Sequence, residues 1–136
     1  MSAAGLFVIL PAVVETVVVV DDDDAVREAL ADVLSLDGYE VMTARDGDEA
    51  LRVLGKVARP CVALVDLVMP RIDGWELART IHASPELRDI AVLCTTAGRD
   101  DVPPGCYAIL RKPFDDRMLS SAVREAFANL ARSPMA

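Results

Sequence analysis

Histidine is close to absent from this chain, with one residue, His82, in 136. A single imidazole excludes a histidine-built metal cluster. Its place at the polar end of an amphipathic segment predicts an exposed, catalytically inert side chain. Cysteine is sparse and unpaired in sequence: Cys61, Cys94 and Cys106 lack the close spacing of a zinc or disulfide framework. Cys61 and Cys94 lie in or beside apolar runs, where a free thiol packs as a small hydrophobe. Basic residues are also scarce, 14 Lys and Arg against 22 Asp and Glu, for a net charge of −8. That balance removes the broad positive surface needed to hold nucleic acid or an anionic membrane, while leaving room for a small basic patch.

No apolar run suits a membrane span. The best candidate, 6–14, lacks a basic flank, is interrupted by Pro11 and is followed by Glu15. Continued to Val20 it is still too short and too broken. It is read as an N-terminal extension, residues 1–15, ahead of a single domain over 16–132, with 133–136 as a tail. Neither a repeat nor a linker divides the chain, and the length suits one domain. An odd cysteine count without a secretion signal predicts a reducing, cytoplasmic setting.

What is present is a globular composition, 53% hydrophobic and 26% charged. Residues 17–20 are four valines bounded by acids, the pattern of a strand buried on both faces of a parallel sheet. Asp24 is placed to cap a helix predicted over 25–36, whose Val26, Ala29, Leu30, Val33 and Leu34 share one face, and Gly38 suits its stop. The spacing continues with a strand over 39–43, a helix over 47–58 and a strand over 61–67. A turn over 69–74 leads to a helix over 75–83, in which Trp75 reads as a packing residue. Strands over 90–95 and 107–110 follow, then a helix over 115–131 with Met118, Leu119, Val123, Phe127 and Leu130 on its apolar face. Between 98 and 105 the pattern fails, because Pro103 and Pro104 permit no more than a turn of helix. The chain is therefore expected to be an α/β protein, a doubly wound five-stranded parallel sheet with its fourth crossover helix shortened or missing.

Side chains at the carboxyl ends of parallel strands converge on one crevice. Asp21 and Asp22 close the valine run, Asp66 ends the third strand, Thr95 and Thr96 the fourth, and Lys112 the fifth. Each has an ordinary explanation alone: acids such as Asp23 and Asp24 favour a helix N-terminus, Asp66 and Thr96 could cap strands, and lysine is by default a surface residue. Together they place several carboxylates, a hydroxyl and an ammonium in one pocket. Clustered carboxylates repel unless a cation or proton compensates them, and Mg2+ is the natural cation where phosphate is also handled.

The strings that carry these residues resemble the receiver domain of two-component response regulators. Residues 17–30, VVVVDDDDAVREAL, are similar to the family's first strand, acidic pair and first helix. Residues 65–77, VDLVMPRIDGWEL, are similar to the phosphoacceptor with its Met-Pro turn and Asp-Gly, and 105–114, GCYAILRKPF, to the last strand with Lys-Pro-Phe. The resemblance covers about residues 16–131 and implies the flavodoxin-like strand order 2-1-3-4-5. It implies that Asp66 is phosphorylated, with Asp22 a direct Mg2+ ligand, Asp21 a ligand through water, and Asp66 and the Val68 carbonyl completing the metal set. Thr96, favoured over Thr95 because Ala97 follows it, would hold a phosphoryl oxygen, and Lys112 would pair with the acceptor and its phosphate. The implied donor is a sensor histidine kinase or a histidine phosphotransfer protein. The implied output is an unidentified partner protein, and direct nucleic-acid binding is not expected of a stand-alone receiver.

Three features depart from the family pattern. The fourth helix, part of the usual output face, is nearly absent. Ile109 stands at the aromatic position of the fifth strand, with Tyr107 two residues earlier and expected on the same face. Val68 and Gly98 stand where receivers commonly tune dephosphorylation, and neither offers a polar group to orient water, which implies a long-lived phosphorylated state. Two rival readings follow. One is a receiver-shaped interaction module without phosphorylation. The other is an aspartate-nucleophile phosphatase using Asp21 and Asp23, against which Ala25 stands where a hydroxyl is usual and the chain has no room for a substrate-selecting insertion. A non-enzymatic receiver is the expected class.

Overall fold

A computed structural model of the protein describes residues 13–69, 71–98 and 101–132. Most of the N-terminal extension and the whole C-terminal tail lie outside the described residues. Among the described residues five strands alternate with four helices: β1 Thr16–Val20, α1 Asp24–Leu36, β2 Glu40–Ala44, α2 Gly47–Leu54, β3 Cys61–Asp66, α3 Gly74–Ala83, β4 Ala91–Thr96, β5 Cys106–Arg111 and α4 Asp116–Arg132. All strand pairs are parallel and the order is β2-β1-β3-β4-β5. No described residue between β4 and β5 is helical, so the crossover there is reduced as the paired prolines require.

The valines of β1 show why this sheet is covered twice. Val18 and Val20 enter one apolar cluster, with Ala50 and Leu54 of α2 and Leu77, Ala78 and Ile81 of α3. Val17 and Val19 enter the other, with Leu30 and Leu34 of α1 and Leu119, Val123 and Phe127 of α4. Alternation along a strand sends successive side chains to opposite faces, so a strand between two helical layers has no solvent-facing position until it ends. Tyr39 closes the second cluster by stacking on Phe127, with ring centroids 5.2 Å apart. Trp75 packs against the first cluster, and His82 is exposed, both as expected.

The helices start on aspartate. Asp23, Asp46, Asp73 and Asp115 accept hydrogen bonds from the N–H groups of Val26, Glu49, Glu76 and Met118, meeting donors that a helix N-terminus leaves free. The cap of α1 is thus Asp23, one residue earlier than the sequence reading placed it. Asp24 instead lies in the first turn and pairs with Arg27. At the other end Gly38 takes φ +98°, the left-handed conformation a glycine stop supplies. Helix α2 ends at Leu54, four residues short of its expected limit, with Gly55 as its cap. Apolar periodicity continues to Val57, but glycine is a poor interior helix residue.

Strand β5 carries an irregularity that sequence spacing did not reveal. Val92 aligns with Cys106 but Leu93 aligns with Ala108, so Tyr107 is an extra residue bulged out of the ladder. The bulge sends Cys106 and Ile109 to the α2/α3 face and Tyr107 to the α1/α4 face. Tyr107 and Ile109 therefore lie on opposite faces, contrary to the same-face expectation, because one inserted residue breaks the period of two.

Helix α3 is docked against β3 through Gly74. A Cβ on Gly74 would stand 2.3 Å from the Asp66 carbonyl and 2.5 Å from the Leu67 Cα, both backbone atoms that cannot step aside. Gly74→Ala is expected to lower unfolding free energy by about 2 kcal/mol or more, because overpacking here must move backbone. Urea denaturation of the variant beside the parent checks this, and an unchanged midpoint contradicts the close approach.

Candidate functional site

The chain leaves β1 for β2 on one side and returns to β3 on the other, so a crevice opens between the carboxyl ends of β1 and β3. Asp21 follows β1 and Asp66 ends β3, and both are buried, at 2% and 7% exposure. Asp22 is exposed at the mouth. One carboxylate oxygen from each of the three lies within 4.8 Å of the others. The Lys112 Nζ reaches in from the end of β5, 3.5 Å from Asp66 Oδ2 and 3.9 Å from Asp21 Oδ2. Its position is tied to β4, since the Lys112 N–H donates to the Thr96 carbonyl at 2.8 Å.

Backbone donors hold two of the carboxylates in place. Asp21 Oδ1 accepts from the Asp23 N–H at 2.9 Å, and Asp66 Oδ1 accepts from the Val68 N–H at 3.1 Å. Asp21 Oδ2 is buried without a hydrogen-bond partner. Burial raises the Asp21 pKa above the ordinary carboxylate value; the Asp23 N–H opposes this, Asp66 reinforces it, Lys112 opposes it and Asp22 adds to it. Carboxylate oxygens within 4.8 Å of one another repel, most strongly for the buried pair Asp21 and Asp66. Three carboxylates against one ammonium leave two negative charges uncompensated, the charge of one divalent cation. An all-oxygen donor set, with one buried oxygen lacking a hydrogen bond, fits a hard cation such as Mg2+ rather than zinc.

The residues named from sequence therefore separate as follows. Asp21, Asp22, Asp66 and Lys112 converge. Val68 lies beside Asp66 and contacts it through its N–H, while its side chain is 67% exposed. Thr95 and Thr96 are both buried at the end of β4; Thr95 is the one aligned with Asp66, and Thr96 Oγ1 accepts from the Gly98 N–H at 3.5 Å. Asp23 is committed to its cap, so the acid pair two apart that a phosphatase would use is split. Arg27 was missed. Its Nη1 donates to the Asp21 carbonyl at 2.9 Å while Nη2 pairs with Asp24, fixing the turn that carries the acids. The Asp24–Arg27 spacing of three was the available signal. An apolar groove of about 340 Å3 adjoins Lys112, between Val26, Leu30 and Val33 of α1 and Phe114.

A doubly wound sheet with an acidic trio and a lysine at its topological switch point defines an α/β module able to handle a cation and a phosphoryl group. The family model for the response regulator receiver domain matches residues 17–124. The chain belongs to this family, the receiver domain of two-component signalling. It is 44% identical over 105 residues to the response regulator MprA of Mycolicibacterium vanbaalenii, covering 72% of this chain and 44% of that protein. The corresponding protein of Mycobacterium leprae is 38% identical over 115 residues, 79% of this chain and 49% of its own length. The chain thus spans about half the length of the curated relatives it matches. Among solved structures, a CheY-like receiver domain protein from Methanospirillum hungatei superposes with a TM-score of 0.78 at 28% identity, over 88% of this chain and 98% of that one. A putative response regulator from Chloroflexus aurantiacus gives 0.75 at 34% identity, over 88% and 99%. Among the described residues no helix is long and apolar enough to cross a membrane.

Asp21→Asn is expected to raise metal-free stability, since it removes a buried charge whose folded pKa is raised. In the parent, the folded state holds the Asp21 proton more tightly than the unfolded chain. Metal-free stability should therefore fall as pH rises through the window between the unfolded and folded values, and level off above it. Thermal unfolding in chelator across mildly acidic to neutral pH checks both points. A less stable Asn variant, or a parent that gains stability through that window, contradicts the assigned strain.

Proposed function

We propose that Asp66 accepts a phosphoryl group, in an Mg2+-dependent reaction, from a sensor histidine kinase or a histidine phosphotransfer protein. The observation that carries the reading is the convergence of a buried strand-end carboxylate with two further acids and a lysine 3.5 Å away. The Asp66 carboxylate attacks phosphorus and becomes an acyl phosphate, while the bond to the donor nitrogen breaks. Lys112 pairs first with Asp66 and then with the transferring group, and Thr96 donates its hydroxyl to a phosphoryl oxygen. Asp21, Asp22, Asp66 and the Val68 carbonyl would hold the cation, which would offset charge on the phosphoryl oxygens. The apolar groove along α1 suits the helical face of a donor protein reaching toward Asp66. Phosphorylation adds charge and acceptor oxygens at the ends of β3, β4 and β5, and a partner protein reads that change.

Incubation with acetyl phosphate followed by intact-mass measurement tests this. One phosphoryl adduct is expected with Mg2+, none in chelator and none in Asp66→Ala. An adduct that survives Asp66→Ala overturns the assignment. If neither acetyl phosphate nor candidate kinases give an adduct, the chain is a receiver-shaped interaction module.

Lifetime follows from two side chains. The exposed Val68 and the open Gly98 present nothing polar to aim a water at the acyl phosphate. Val68→Asn is expected to shorten the half-life of the phosphorylated protein several-fold, measured as loss of the adduct after donor removal. An unchanged half-life shows that the side chain at position 68 does not govern the attack of water.

A further inference from the structure

Cys94 and Cys106 are twelve residues apart with no motif joining them, yet the bulge in β5 brings them together. With Tyr107 pushed to the opposite face, Cys106 shares the α2/α3 face with Cys94. Their Sγ atoms stand 2.9 Å apart. Cys94 is fully buried, whereas Cys106, the first residue of β5, is only partly so. Cys61 is buried at the start of β3 with its thiol pushed up to about 12 by desolvation, which makes it unreactive.

We infer that Cys94 and Cys106 form a dithiol modification site, oxidised by a peroxide to an intrachain disulfide that cross-links β4 to β5. This assignment is independent of phosphorylation at Asp66.

The chemistry divides between the two thiols by position. Cys106 is the less buried of the two, and its hydrogen-bonding contact with Cys94 lowers its pKa, against the desolvation that alone would raise it. Cys94 is pushed upward by the same hydrogen bond and by burial, so it keeps its proton. The Cys106 thiolate attacks one peroxide oxygen, the O–O bond breaks, and a sulfenic acid forms as hydroxide leaves. Cys94 then attacks the Cys106 sulfur. The S–S bond forms, the S–O bond breaks, and the Cys94 proton leaves with the departing hydroxyl as water. Two thiols are oxidised and one peroxide is reduced to two waters. The sulfurs must close from 2.9 Å to about 2.05 Å.

The site lies on the strands that carry the phosphoryl pocket. Cys94 immediately precedes Thr95 and Thr96, Cys106 opens the strand that leads to Lys112, and Thr96 and Lys112 are already joined main chain to main chain. A covalent bond between the strands would therefore act on the spacing of those two residues.

The test treats the reduced full chain with hydrogen peroxide, blocks remaining thiols and measures intact mass and cross-linked peptides. The expected result is loss of two hydrogens, one Cys94–Cys106 peptide pair, a free Cys61, and full reversal by dithiothreitol. Cys106→Ser should abolish the cross-link and Cys61→Ser should leave it unchanged, with circular dichroism confirming that each variant is folded. The inference is overturned by oxygen accumulating on Cys106 without a cross-link, by a bridge involving Cys61, or by a chain that keeps all three thiols. Because the unsubstituted chain gives the primary readout, a variant that misfolds does not rescue the proposal.

Discussion

The structure depends on β1 being occupied on every side. It is hydrogen-bonded to β2 and β3 and covered by helices on both faces, so none of its five residues meets water. A strand in that position favours apolar side chains, so four of its five residues are valine and its charged neighbours are displaced beyond its ends. Because β2 and β3 lie on opposite sides of it, the same strand defines where the sheet's connections diverge. Burial of the valines and convergence of the acids are therefore one constraint expressed at two places along the chain.

The site is electrostatically unsatisfied by design of its surroundings rather than by its residues alone. Asp21 and Asp66 are buried because they stand at the rim of the apolar layers, and each receives one backbone donor from its own turn. Lys112 supplies one positive charge from across two strands. The remaining imbalance leaves the pocket negative, a field suited to positive charge. Stability and binding are thus opposed: the folded domain carries like charges at close range that a purely structural protein would have lost.

The reduced crossover between β4 and β5 and the bulge in β5 belong to one region. Pro103 and Pro104 prevent a helix, Gly105 turns the chain at φ +87°, and β5 then starts with an extra residue. The bulge settles which side chains share a face: Tyr107 joins α1 and α4, while Cys106 and Ile109 face the opposite layer. What a receiver-like chain does with its fourth and fifth strands is here decided by a local count of residues rather than by residue type.

Much of the molecule was legible beforehand. The valine run, the apolar faces of α1 and α4, the glycine after α1 and the prolines before β5 each have a local cause, and local causes act within a few residues. Asp21, Asp22, Asp66 and Lys112 were legible as strand-end residues because a parallel sheet brings all such ends to one edge. The cap of α1, the early end of α2, the bulge at Tyr107 and the Arg27 contact to the Asp21 carbonyl were not. Each turns on a shift of one residue or on a side chain crossing between elements, to which periodicity is blind. By itself the sequence determined the elements, their alternation and the edge where charge would gather, since these follow from hydrophobic period and chain direction. Only the tertiary structure decided which oxygen is left without a hydrogen bond, which threonine aligns with Asp66 and which two cysteines meet, because those are distances between strands far apart in the chain.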